Sequence, residues 1–204
     1  VEADRLLPLA HATDVRSGVF THSGYRLVSP WTANGLVDLA DYPKLAAYYN
    51  AHADRLTGRN VAKRSGPAWF RTIDRVNTHL LDTDMLVLGD MRKHITPVRV
   101  PAGFYPHHNL YFIVSGKWDL DVLGGLLLAD VVEAQVAAYC VKMRGGTLRF
   151  QAQYLRRVRI PAPDGIPAAL SERLADAFRA QDRDAANLAG RELFAGLGVP
   201  VPSA

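Results

Sequence analysis

The chain has 204 residues, 49% hydrophobic and 22% charged, with a formal net charge of +4. That composition supports a packed core and excludes a disordered tail, a collagen-like fibre and a coiled coil. The single cysteine, Cys140, excludes a disulfide framework and an all-cysteine metal site, and it fits a reducing, cytoplasmic setting.

In chain order, residues 25–29 read as a short strand, followed by a turn region at Pro30 and Asn34-Gly35. Asp41-Tyr42-Pro43 reads as a helix start, with Asp41 as cap and proline in the first turn. Leu45, Tyr48, Tyr49, His52 and Leu56 then recur at helical spacing until Gly58. Residues 59–67 read as a basic loop containing glycine and proline. Residues 85–88 and 98–100 are strand candidates joined by a polar connection over 89–97. Residues 109–115 give the clearest strand, with Leu110, Phe112 and Val114 on one face and Tyr111 and Ile113 on the other. Apolar residues on both faces suit a central strand.

A helix is expected from about residue 119 to 141, loosened by Gly124-Gly125 and carrying Cys140 as a buried thiol. Arg144-Gly145-Gly146-Thr147 reads as a tight turn, where glycine permits positive φ. Residues 153–160 return as a strand closed by Pro161 and Pro163. Residues 168–197 are alanine-rich and amphipathic with a break near Asp182, the pattern of a helical hairpin. The most apolar stretch, residues 122–128, is far shorter than the roughly 20 residues of a membrane-spanning helix, so no membrane partner is expected. Regular βαβ alternation is absent. The expected fold class is α+β: a mixed or antiparallel twisted sheet with flanking helices and a C-terminal helical hairpin. Val1-Glu2-Ala3 at the start suggests a piece of a longer protein.

Charge is unevenly distributed. Residues 1–54 carry 4 basic and 6 acidic side chains, residues 55–160 carry 16 and 8, and residues 161–204 carry 4 and 6. The middle segment therefore suits an acidic partner, with nucleic acid first and phospholipid headgroups second. Arginine dominates that excess, and its planar fork matches phosphates and guanine edges.

Catalytic patterns are sparse. His107-His108 feed a strand, but neighbours on an extended chain point to opposite sides, which disfavours a shared metal. Asp82, Asp84 and Asp90 resemble a nuclease carboxylate set, yet Lys93 misses the usual spacing after the second acid. Neither Gly124-Gly125 nor Gly145-Gly146 stands in a strand–glycine loop–helix phosphate cradle. In Trp69-Phe70-Arg71-Thr72-Ile73-Asp74-Arg75, the aromatics read as core and the two arginines as function.

Four segments together resemble a known family. They are Trp69-Phe70-Arg71-Thr72-Ile73-Asp74-Arg75, Tyr105-Pro106-His107-His108-Asn109-Leu110-Tyr111-Phe112-Ile113, the run from Tyr139 through Arg144-Gly145-Gly146 to Phe150, and Tyr154-Leu155-Arg156-Arg157-Val158-Arg159-Ile160-Pro161. With the entry Asp38-Leu39-Ala40-Asp41-Tyr42-Pro43, they resemble the TaqI-like C-terminal target-recognition region of restriction-modification N6-adenine DNA methyltransferases. Specificity subunits of type I systems are more distantly similar. The resemblance covers roughly residues 5–165.

The resemblance implies a DNA target-recognition domain over residues 1–165 and a helical extension over 166–204. It implies double-stranded DNA and an N-terminal methyltransferase domain of the parent chain as partners. S-adenosylmethionine is expected in that catalytic domain and not in this chain, which lacks the Asn/Asp-Pro-Pro-Tyr/Phe motif. The chemistry of the side chains nominates Lys63, Arg64, Arg71, Arg75, Arg92, Lys93, Lys142, Arg144 and Arg149 for phosphates or guanine edges. His94, His107, His108 and Asn109 are candidate base readers. Arg156, Arg157 and Arg159 alternate on the expected strand. Two other readings stand beside this one: a protein-interaction module docking through the C-terminal helices, and a small nuclease using Asp82, Asp84 or Asp90.

Overall fold

A computed structural model describes residues 1–143 and 145–199 and divides the chain into two units. It is α+β, with small antiparallel sheets and a helical C-terminal region.

The first unit comprises Val1–Leu9, Gly24–Thr83 and Ala102–Tyr105. Strand β1 (Leu6–Ala10) pairs antiparallel with β2 (Arg26–Val28), Leu6 opposite Val28. The expected turn region around Asn34-Gly35 is a hairpin in which Ala33-Asn34 connect β3 (Trp31–Thr32) to β4 (Gly35–Leu36), with Gly35 already in the strand opposite Thr32. Helix α1 (Pro43–Ala51) starts at its proline as expected, but Asp41 is not its cap. Asp41 ends a 3-10 turn, Leu39–Asp41, capped by the Asp38 side chain. The first-turn N–H groups of Lys44 and Leu45 instead donate to the Glu2 carboxylate at 2.8 and 2.9 Å. Desolvation pushes the Glu2 carboxyl up, but these bonds and one from its own backbone outweigh it and hold the group below its ordinary value. Residues 59–67 are more ordered than a loop. They contain α3 (Asn60–Lys63), which follows α2 (Ala53–Thr57), and the start of a 3-10 turn at Gly66–Ala68. Val37, Leu45, Tyr49 and Phe70 form the core of this unit, with Trp69 against it, so the aromatic pair is indeed core.

The second unit comprises Ala10–Ser23, Asp84–Pro101 and the chain from Pro106 onward. Its sheet has β5 (Met85–Gly89) in the centre, flanked antiparallel by β7 (Val98–Val100) and β9 (Leu110–Ile113). The two-residue strands β6 (Met91–Arg92) and β8 (Tyr105–Pro106) fall between them in sequence. The expectation of a central strand at 109–115 is corrected: β9 is an edge. Phe112 and Val114 are each 43% exposed, whereas Met85–Leu88 are buried throughout. Alternating apolar residues mark two-sided contact less reliably than an unbroken apolar run such as Met85-Leu86-Val87-Leu88.

The long helix expected over 119–141 is two helices, α4 (Leu120–Leu128) and α5 (Asp130–Ala137), parted at Ala129, which takes an extended conformation. Gly124 and Gly125 do not loosen it. They sit inside α4, where a Cβ on Gly125 would lie 2.1 Å from the Leu174 carbonyl oxygen and one on Gly124 would lie 2.4 Å from the Phe178 ring. Cys140 is buried as expected but lies beyond the end of α5. The short strand β10 (Leu148–Arg149) follows. The strand expected at 153–160 is instead the short helix α6 (Ala152–Leu155) and irregular chain. Tyr154 and Leu155 N–H donate to the Gln151 carbonyl, a helical turn in which Arg156, Arg157 and Arg159 do not alternate as on a strand.

The helical hairpin is present as α7 (Ala168–Ala180) and α8 (Arg183–Gly196). Gln181 adopts φ 51° between them and the Asp182 carboxylate caps α8 at Ala185 N. Leu170, Leu174, Phe178, Leu193 and Phe194 bury their side chains in one core with α4 and α5.

Candidate nucleic-acid interface

The sequence-nominated cations fall into two groups, one in each unit. In the first, Lys63 and Arg64 close α3 and are exposed. Arg71 is half-buried with its guanidinium 5.4 Å from the centre of the Trp31 ring, a cation–π placement that holds the fork without a carboxylate. Its Nε is buried and has no hydrogen-bond partner among the described residues. Trp31 is fixed in turn by its Nε1–H, which donates to Thr72 Oγ1 at 2.7 Å. Arg75 is exposed and donates to the Ala33 carbonyl at the hairpin tip. Beside it lies an open pocket of about 320 Å³, lined by Thr32, Ala33, Arg75, Val76, Asn77, Thr78 and His79. Sequence reading missed Trp31 as the support of Arg71. The available signal was its position just before Asn34-Gly35, a strong hairpin marker that turns β3 back on itself.

In the second unit, β6 pairs with β10, Leu148 opposite Arg92 and Arg149 opposite Met91. Lys142 bridges to Leu148 from the other side, and the Met143 N–H donates to the Thr147 carbonyl at 2.7 Å. The turn joining these segments contains Gly145 and Gly146 at φ 83° and 75°, a left-handed pair that an L side chain adopts only with strain. The result is an antiparallel ribbon carrying Arg92, Lys142 and Arg149, followed along the chain by exposed Lys93 from β6. Arg144 lies outside the described residues.

These cations are not equally available. Arg149 is tied to Asp90, which holds its guanidinium more firmly charged than usual. Lys93 and Lys142 are exposed. His94 is bound to Glu133 at 2.9 Å, whose other oxygen accepts from Ile95 N and from Arg183. His107 is half-buried against His108 and His11, ring centres 4.1 and 4.8 Å away. Burial first, then the neighbouring His108 and His11, hold its imidazole below the ordinary value. His108 and Asn109 are exposed at the turn entering β9.

The acidic residues considered for a nuclease are engaged elsewhere. Asp84 receives two bonds from Arg99, Asp90 pairs with Arg149, and Asp82 lies 3.9 Å from His79. Among the described residues, no group of three or more His, Cys, Asp or Glu side chains is placed to hold a metal ion.

No family model matches the chain. It is 44% identical over 195 residues to the type II methyltransferase M.XhoI of Xanthomonas vasicola, covering 95% of this chain and 36% of that protein. The chain is homologous to one third of a type II methyltransferase. M.PaeR7I of Pseudomonas aeruginosa is 42% identical, covering 95% of this chain and 34% of its own length. M.BstVI of Geobacillus stearothermophilus is 41% identical over 177 residues, or 86% of this chain and 32% of that one. The restriction-modification resemblance read from the four sequence segments is thus borne out.

Two solved structures share the fold of this methyltransferase homologue at 13% identity. The type IIG restriction endonuclease BpuSI matches 95% of the chain and 26% of its own, at a TM-score of 0.50. The type IIL restriction-modification enzyme MmeI, solved in complex with DNA, matches 88% of the chain and 27% of its own, at a TM-score of 0.59.

Proposed function

We propose that this chain is the DNA target-recognition part of a site-specific adenine-N6 methyltransferase in a cytoplasmic restriction-modification system. The observation that carries the reading is the match of nearly the whole chain to only a third of each type II methyltransferase. This chain contains no Asn/Asp-Pro-Pro-Tyr/Phe motif of amino-methyl transfer. A fold shared with an enzyme described in complex with DNA, and cations exposed in both units, support the same conclusion. The adenine assignment rests on the family resemblance of the four segments.

Neither glycine pair of the described residues offers S-adenosylmethionine a phosphate-type or backbone cradle. The space above Gly124 and Gly125 is filled by Phe178 and Leu174, and Gly145-Gly146 turn a ribbon and open no helix. The cofactor and the methyl-transfer step are assigned to a catalytic domain outside this sequence, as the partner against which DNA is held. Here the described residues bind and position. Lysine and arginine neutralise phosphates and set register, while side chains at base edges set sequence preference. No helix among the described residues is long and apolar enough to cross a membrane.

The direct test is selection of a target from a randomised duplex pool by this chain, alone and fused to its catalytic domain. Enrichment of one sequence by either protein supports the reading; a fusion that methylates DNA with no dependence on the identity of this segment contradicts it.

A further inference from the structure

Between Ala134 and Pro163 the sequence contains no aspartate or glutamate and six lysines and arginines, including Lys142, Arg149, Arg156, Arg157 and Arg159. The ribbon of residues 90–92, 141–143 and 147–149 lies largely within that stretch. Directly opposed residues of an antiparallel pair share a face. The register therefore sets Arg92, Leu148 and Lys142 on one face and Met91, Arg149 and Val141 on the other.

The second face is chemically unusual for a solvated surface. Met91 is 58% exposed, Val141 47% and Met143 43%, and the nearby Tyr139 ring is covered on one side by the Arg157 guanidinium at 4.6 Å. The carboxylate beside the ribbon, Asp90, is consumed by Arg149. Apolar tips on a positively charged support whose Asp90 carboxylate is already paired suit a partner with a dense negative backbone and apolar groups recessed between its charges.

We propose that this ribbon is the groove-reading element for duplex DNA, with its exposed Met91 and Val141 face against base edges and the long, exposed Lys142 side chain, on an outer segment of the ribbon, reaching the flanking phosphate backbone. It rests on the DNA-recognition reading above and specifies which element does the reading. Residues 141–143 and β10 form a two-stranded hairpin of the kind the major groove admits, with β6 along its other edge, and the thymine C5-methyl is the apolar feature there that a methionine or valine tip contacts. Arg149 is a positioning residue: its bond to Asp90 locks β10 against the segment leading into β6.

Fluorescence anisotropy on a selected duplex and on a randomised duplex separates the parts. Lys142→Ala is expected to weaken binding several-fold on every sequence and to reduce the log–log salt slope by about 0.9. The double substitution Met91→Gln/Val141→Thr is expected to keep binding to the randomised duplex while losing preference for the selected one. Replacing thymine by deoxyuridine in the selected duplex should weaken the unaltered chain and leave the double variant unmoved. All three side chains are exposed, so unchanged thermal midpoints are expected. Should the double variant not fold, Met143→Gln reports on the same apolar tips. Variants that bind and discriminate like the unaltered chain would overturn the ribbon as reader while leaving DNA recognition standing. Failure of the unaltered chain and of its fusion to the catalytic domain to select any duplex would overturn both.

Discussion

Asp121 on α4 accepts a hydrogen bond from Arg179 on α7 at 2.7 Å, through Oδ2, while its Oδ1 accepts from Arg99 on β7 at the same distance. The carboxylate is only 7% exposed, and Arg99 reaches on to Asp84 and Arg179 to Asp176. One buried carboxylate thereby joins sheet, central helix and C-terminal hairpin, and both guanidinium groups are held more firmly charged than usual.

Asp121→Asn removes the charge that both arginines share. The arginines keep their second carboxylates and their contact with water, so the loss is below that of a fully buried pair. A destabilisation of about 2 kcal/mol is expected, read as a lower urea midpoint with unchanged slope.

Gly125→Ala should destabilise even though alanine favours a helix by about 1 kcal/mol. The new methyl group would meet the Leu174 backbone at 2.1 Å, and backbone cannot rotate away as a side-chain end can. Overpacking of about 1–3 kcal/mol then exceeds the propensity gain. Gly196→Ala, with nothing within 4 Å of its Cβ, should be neutral or stabilising, and thermal denaturation of the two variants side by side checks the sign.

Removing residues 166–199 should abolish the cooperative unfolding of the second unit and should not leave that unit as a folded remainder. The apolar faces of α7 and α8 are already occupied by α4 and α5, so truncation opens the core. Circular dichroism of the shortened chain, with a melting curve, decides this. The same packing takes the main apolar surface of the hairpin away from any docking partner.

His107 should make stability depend on pH in the acid direction. Its folded value lies below the ordinary 6.5, so the unfolded chain binds the proton more readily. Stability from this group is constant above about pH 6.5 and falls as pH drops through the interval between that value and the depressed folded one. His107→Gln should flatten the dependence within that window, measured as denaturant midpoints across pH.

Much of the fold was legible where it depends on local pattern. The Asn34-Gly35 hairpin, the proline start of α1, the glycine turn at 145–146 and the break before Asp182 all follow from backbone chemistry within a few residues. The misses share a cause: tertiary partners far along the chain. Glu2 caps α1 from 42 residues away, displacing the nearer Asp41. The glycines of α4 looked like flexibility because the helix that needs their space, α7, begins more than forty residues later. At the candidate interface, the nature of the charge was readable, but which cations are spent internally was not. Arg149 and Lys142 look alike in sequence, and only the fold shows that one faces Asp90 while the other is exposed.

The central claim is tested most directly by anisotropy of this chain on a randomised DNA duplex across a salt series. Phosphate contacts by exposed lysines and arginines predict an association constant whose logarithm falls linearly with log salt, losing about 0.9 per contact. Binding absent even at low salt, or present but indifferent to salt, would contradict a DNA-reading role for this chain on its own.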